Sequence, residues 1–483
     1  MRLPDPQQRP AFFTNLYGIV LAALAIVVSD PQIGELIFRG YFVQDADEVI
    51  RSWYGRCSLE NPLIIPYSHL SMPGWTLVLA VGEWISQACG LPLTMLGRLT
   101  TVAAAWWCLR GVSDWVRAIG GNHNHALIAV VLIAASPAFF MLSLTVYPSI
   151  AFLTLAVQSF RFWAQDRPRA ALFAIGLTPL IRWEGVLLLA LMALFVLVKG
   201  LWKQGLWLLA PYLTYLIINA LQFGNPWKPL AFRTTRHMGA WLVFNPHLNL
   251  DNLWPAVVNL CSLYSPLLFA GAIAVALYLA VRRKWDLGPL PWAAAGLTVA
   301  LLSIQHEWTV WVLRIFVTPY SLAVMAVIGL AVHLSNKTRN LILALIAVAA
   351  LFSIGSTWHK VYNQTVPKPG NLRHEIGYHM FVRYSDATPV LSWLHAQKAD
   401  WVIVNHLNAN LFRADPQCSL YDLPLRIGSP GMSLSAKFEP SFGLPKGNGL
   451  VVFHAGAAGI EKCSLVKVFR ESHLQIYRCS DSG

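Results

Sequence analysis

Apolar blocks dominate the chain, many of them close to the roughly 20 residues that a helix needs to cross a bilayer. They fall at about 11–28, 70–88, 92–110, 126–146, 148–163, 170–184, 185–198, 205–223, 253–281, 289–305, 312–333 and 339–358. Only 12% of the 483 residues are charged, where a soluble domain carries about 25%. Mean hydropathy is +0.51. Disorder, coiled coil and an ordinary cytosolic enzyme are excluded. The blocks predict an all-α polytopic membrane protein with about 11–13 transmembrane helices.

Charge orients the spans. The N-terminal stretch MRLPDPQQRP places Arg2 and Arg9 before the first apolar run, and no small-residue cleavage site follows. That run reads as an uncleaved span with its N-terminus in the cytoplasm. Arg161/Arg167/Arg169, Lys199/Lys203, Arg282/Arg283/Lys284 and Lys337/Arg339 lie in short connections, which positive charge assigns to the cytoplasm. Counting from Lys337/Arg339, the tail is extracytoplasmic. An inside N-terminus and an outside tail need an odd number of crossings, whereas twelve runs are present. One run is therefore re-entrant or superficial, or a further span is hidden; 70–88/92–110 and 170–184/185–198 are the favoured places. Basic flanks also account for 36 Lys+Arg against 23 Asp+Glu. No Lys/Arg stripe or nucleic-acid motif accompanies the surplus, so nucleic acid is not an expected partner.

Composition changes near residue 359, which separates a transmembrane domain, 1–358, from a tail, 359–483. Short β-like runs at Trp401–Val404, Leu450–Phe453, Leu465–Phe469 and Leu474–Tyr477 alternate with turn residues. They predict a small extracytoplasmic α+β domain. Cys57, Cys418, Cys463 and Cys479 fall on the outer side, where disulfides are permitted, and a bridge within the tail is expected. Cys89, Cys108 and Cys261 lie in apolar runs and read as buried thiols.

Chemistry concentrates in few places. The first outer loop, about 30–69, holds Asp30, Glu35, Asp45, Asp47, Glu48 and Glu60, six of the 14 acidic residues before Lys360. Within GYFVQDADEVIRSWYGRC, the spacing of Val49, Ile50, Trp53 and Tyr54 predicts an amphipathic helix on the membrane surface, with the carboxylates at its N-terminal end. An ionised carboxylate there can act as a general base or ligate a cation; an acidic N-cap on a solvated loop is the alternative. His69 follows before a proline-started apolar run. Arg182 and Glu184 interrupt some 29 apolar residues, and charge in such a setting demands a partner or a site. Arg314, after His306 and Glu307, is a second such arginine; Glu83 and Arg98 read as structural partners. The outer loop near 224–252 gathers Trp227, Lys228, Arg233, Arg236, His237 and Trp241. Positive charge outside runs against the usual bias and suits a phosphate.

Taken in order, the D-x-D-E cluster, HLSMPGWTLVLA, YPSIAF, the GL–P–RWEG segment, an arginine before a late span and a soluble outer tail form a pattern. It resembles the C-type glycosyltransferases, polytopic enzymes that use polyprenyl-phosphate-linked sugars. The protein mannosyltransferases and lipid A aminoarabinose transferases are similar members. The resemblance covers most of 1–358 and does not extend to the tail. It implies that an acid of the first outer loop is the catalytic base. A D-E register selects Asp47 with Glu48 beside it, whereas a D-x-D register brings in Asp45; DEVIRSW favours Asp47. It further implies that Arg182, Arg233, Arg236 and Arg314, with Lys228 and His237, hold the lipid phosphate, and that His69, Glu184 and Trp227 contact acceptor or sugar. Some members need a divalent cation and others do not; Mg or Mn would here take Asp45 and Asp47. The expected activity is inverting transfer of a sugar from a polyprenyl-phosphate donor to a hydroxyl of a lipid, glycan or protein, among membrane lipids. A bacterial inner membrane with a periplasm-facing site is the expected location. The alternatives are a lipid-linked glycan polymerase or ligase working from the 224–252 loop, and a transporter or flippase. No internal repeat of the transporter kind is evident.

Overall fold

A computed structural model describes residues 7–29, 41–43, 46–60, 72–182, 184–223, 226, 264, 266–282, 287–304 and 311–334, with single turns between 337 and 355. In the tail it describes 381–383, 386–405, 411–412, 414–415, 425–428, 448–454, 463–470 and 474–479. The chain is mostly helical with a small C-terminal sheet.

After α1 (Arg9–Ser29), the acidic loop forms α2 (Ala46–Glu60). The helical body continues with α3 (Pro73–Ala88), α4 (Met95–Ala118), α5 (His123–Ala134), α6 (Pro137–Ser143), α7 (Ser149–Ala164) and α8 (Pro168–Ile181). Then come α9 (Gly185–Val198), α10 (Gly205–Phe223), α11 (Pro266–Arg282), α12 (Leu290–Ile304) and α13 (Trp311–Val332). Proline starts α3, α6 and α8, where its missing N–H is no loss. Asn122 and His125 close a capping box on α5.

The run 126–146, expected as one span, is two helices, because Pro137 interrupts it and α5 and α6 meet at 71°. α8 and α9 are separated by the charged break Arg182–Glu184. Packing of α4 on α1 and α7, α8 on α7 and α10, and α13 on α7, α11 and α12 encloses one large apolar core. Outside it, Ile19, Trp84, Leu197, Leu221, Leu267 and Phe352 are 60–83% exposed. Among the described residues one helix, α1, is by itself long and apolar enough to span a membrane; the bent pair α5/α6 makes a second if counted as one.

The tail contains β2 (Phe381–Arg383), α14 (Thr388–His395), β3 (Trp401–Asn405), β4 (Leu425–Gly428), β5 (Gly449–His454), β6 (Cys463–Phe469) and β7 (Leu474–Cys479). Sheet order is β4-β3-β5-β7-β6, with β3 parallel to β4 and β5, and β7 antiparallel to β5 and β6. A disulfide joins Cys463 to Cys479 across the last pair. Cys57 is also disulfide-bonded. Cys89, expected to be buried, instead caps α3 at its C-terminal end and is exposed.

The acidic helix does not lie on a surface. Glu48, Val49, Arg51, Ser52, Trp53, Arg56, Cys57 and Ser58 are all buried. On one side α2 packs on α3; on the other, Val49, Trp53 and Cys57 enter the tail's core with Val390, Val402 and Phe412. The amphipathic spacing was a correct sign of an apolar face, but protein rather than lipid covers it. Just upstream, β1 (Tyr41–Val43) pairs antiparallel with β2.

Candidate functional site

The site grows from the first turn of α2, which carries Asp47 and Glu48. Glu48 has no exposed surface. Arg98 of α4 donates from Nε to Oε1 and from Nη2 to Oε2, both at 2.9 Å. The Val146 N–H donates to Oε1 at 2.7 Å. Arg98 Nη1 also donates to the Val28 carbonyl at 2.8 Å, near the end of α1. This bidentate fork compensates both buried charges and fixes where α2 begins. The side chain of Asp47 lies outside the described residues, as does the whole of Asp45.

A second buried pair braces the same helix further along. Arg56 Nη2 donates to Glu83 Oε2 at 3.0 Å, and the Thr94 N–H donates to Oε1 at 3.1 Å. Thr94 adopts φ 79°, a left-handed conformation rare for a β-branched residue, and in it the N–H reaches Glu83. Glu83 and Arg98 are thus structural partners as the sequence suggested, each of them partnered by α2.

The turn between α6 and α7 is the meeting point. Val146 gives its N–H to Glu48 and takes the Trp75 indole N–H on its carbonyl at 2.9 Å. The next residue, Tyr147, is buried, and two guanidinium groups approach its ring. Arg51 of α2 lies 5.2 Å and Arg314 of α13 lies 3.9 Å from the ring centroid. Each guanidinium is attracted to the ring, while the two cations repel one another in a low-dielectric interior. The arrangement concentrates positive charge at the turn between α6 and α7. Two residues on, Ser149 Oγ accepts from Arg182 Nη1 at 2.5 Å. Arg182 also pairs with Glu184, Nε to Oε2 at 2.9 Å and Nη2 to Oε1. That pair satisfies the α8–α9 break internally and compensates the charge of Arg182.

Of the residues singled out by sequence, Glu48, Arg182, Glu184 and Arg314 converge on this turn together with the backbone of Asp47. His69, Trp227, Lys228, Arg233, Arg236 and His237 lie outside the described residues. Arg51 and Tyr147 were missed. The signal for Arg51 was its place four residues after Asp47, one helical turn along; Tyr147 stood in YPSIAF, but nothing local shows that cations reach it. Among the described residues no cluster of three His, Cys, Asp or Glu gathers to hold a metal. Glu48 does not fit as a ligand, because both of its oxygens are committed to Arg98 and Val146.

Two solved structures of ArnT, a lipid A aminoarabinose transferase, from Cupriavidus metallidurans share this fold. The apo structure matches at TM-score 0.53 with 12% identity, over 97% of this chain and 98% of that one. The undecaprenyl phosphate complex matches at 0.52 with 11% identity, over 98% and 99%. An Archaeoglobus fulgidus oligosaccharyltransferase, in complex with Zn and sulfate, matches at 0.45 with 13% identity, over 83% and 61%. No protein-family model matches the chain, and no curated protein matches it by sequence. The chain shares the fold of the two ArnT structures.

Proposed function

We propose that the chain is a multi-span membrane glycosyltransferase that moves a sugar from a polyprenyl-phosphate donor to an acceptor hydroxyl, with Asp47 as general base. One observation carries this reading: two buried guanidiniums, Arg51 and Arg314, meet on Tyr147 beside the acidic first turn of α2. The pairing of a carboxylate-bearing turn with a cation cluster is what displacement at an anomeric carbon with a phosphate leaving group requires. The shared fold with ArnT, one structure of which holds undecaprenyl phosphate, supports a lipid-borne donor.

A membrane setting is supported by the apolar side chains that the helical body turns outward, since soluble proteins rarely expose large contiguous apolar surfaces. An extracytoplasmic site is supported by the disulfide-bonded Cys57 of α2 and by the Cys463–Cys479 bridge, both of which suit an oxidising compartment. A bacterial inner membrane with the site facing the periplasm accommodates all three.

The reaction follows from the charges. Asp47 takes the proton of the acceptor hydroxyl, a step typically worth about 10²–10⁴ in rate. The acceptor oxygen forms a bond to the anomeric carbon as the bond from that carbon to the phosphate oxygen breaks on the opposite face. Configuration inverts. The departing polyprenyl phosphate carries the electron pair, and Arg51 and Arg314 stabilise it where fixed donors act without water. Lys228, Arg233, Arg236 and His237 add positive charge from the outer loop. Should Mg or Mn take part, Asp45 and Asp47 are the proposed ligands, and no step is routed through the ion.

Binding of undecaprenyl phosphate to the purified protein tests the cation cluster. Arg314→Ala and Arg51→Ala should each weaken it by at least tenfold, and Arg314→Lys by less. Arg110, whose guanidinium stacks on Trp106 rather than on Tyr147, serves as the control, and Arg110→Ala should bind as wild type does. Unchanged affinity in both alanine variants would rule the cluster out as the phosphate site.

A further inference from the structure

We infer that the C-terminal domain completes the site, holding α2 in register through Trp53, which acts as a positioning residue for the acidic turn. The inference rests on the reading of that turn as the catalytic centre. Glu48 and Arg56 tie α2 to the helical body through Arg98 and Glu83, and Trp53 ties the other side of the helix to the tail. Trp53 stands five residues after Glu48, has no exposed surface, and projects into the tail's core rather than into the helical body. Its indole N–H donates to both the carbonyl and Oδ2 of Asp415, each at 3.2 Å. Its ring meets Phe412 edge-on at 5.0 Å.

Upstream of the acids, β1 is hydrogen-bonded to β2, with Tyr41 opposite Arg383 and Val43 opposite Phe381. The tail therefore grips the chain on both sides of Asp45–Glu48. A rigid helix conveys a small rotation at Trp53 to its first turn, and a misplacement of about 1 Å in a reacting group can reduce turnover about 100-fold. A buried indole N–H needs an acceptor whether the side chain positions or merely packs, so substitution has to tell the two roles apart. Substituting Trp53 by phenylalanine separates them, since the aromatic packing is retained and the donor removed.

The test uses the full chain in lipid nanodiscs and reads hydrogen–deuterium exchange over peptides covering 41–60. In Trp53→Phe, exchange should rise in the first two turns of α2 while α4 and β3–β7 stay as protected as in wild type. Asp415→Ala, which keeps the backbone acceptor, should give a smaller rise, and Asp415→Asn, which restores an acceptor oxygen, should match wild type. Unchanged exchange in α2 overturns the inference, and so does a rise spread evenly over the whole tail.

Turnover is read in parallel as release of free lipid phosphate from undecaprenyl-phosphate mannose, glucose and aminoarabinose, with crude bacterial membrane lipids as acceptor. Trp53→Phe should lower kcat on the order of 10–100-fold with KM for the donor unchanged, and unaltered kcat overturns the inference. Asp47→Asn is run beside it. Full turnover in that variant refutes the assignment of the base but leaves the exchange result to decide the role of Trp53.

Discussion

Glu48 and Arg98 carry opposite charges with no exposed surface, so the fate of either alone is set by what the other loses. Removing one partner of a buried pair leaves an uncompensated charge and costs about 3–5 kcal/mol, whereas replacing both by apolar residues of similar volume is often neutral. Glu48→Ala should therefore lower thermal stability in detergent by an amount in that range. Glu48→Leu combined with Arg98→Met should recover much of it, while turnover stays lost because the first turn of α2 is no longer anchored. Equal destabilisation in the single and double variants would mean that the pair is not the anchor. Arg314 presents a different balance. It stacks on Tyr147 within 3.9 Å, and a lysine there keeps the charge but loses the planar face that spreads it over the ring.

At the scale of elements, α2 is held by close backbone contact as well as by charge. A Cβ added at Gly55 would lie 2.9 Å from Leu79 Cβ and 3.1 Å from the Ala80 nitrogen on α3. Gly55→Ala should push the two helices apart by a few tenths of an ångström and destabilise the protein by about 1–3 kcal/mol. Gly82→Ala on α3, whose added Cβ meets nothing nearer than 3.7 Å, should be nearly neutral; thermal melts of the two variants compare them directly. The acidic helix, the break at Arg182–Glu184 and Arg314 were legible in the sequence because charge stands out against apolar blocks. Their partners were not. Trp53 and Asp415 are 362 residues apart and Glu48 and Val146 are 98 apart, and no local pattern encodes such pairings. An apolar face announces that α2 is covered, but lipid and a folded tail look alike from the sequence. β4 escaped for a different reason: LRIG holds a single β-branched residue, no aromatic one and a Gly, a weak strand signal.

The molecule as a whole joins a helical body, apolar on the outside, to a mixed sheet, with α2 wedged between them. Tail strands β3, β5, β6 and β7 were readable from β-branched runs between turns, whereas the incorporation of α2 into the tail's core follows only from three-dimensional packing. This architecture puts the first turn of α2, the cations on Tyr147 and the tail's grip into one small region, which is the basis for proposing glycosyl transfer there. Acceptor-dependent release of undecaprenyl phosphate from a panel of its sugar derivatives, in wild type and Asp47→Asn, measures that assignment. We expect release by the wild-type protein only when an acceptor hydroxyl is supplied, and a fall on the order of 100-fold or more in Asp47→Asn. Release that is undiminished in Asp47→Asn, and lost instead in Arg233→Ala or Arg236→Ala, would move the chemistry to the 224–252 loop and contradict the placing of the base on α2.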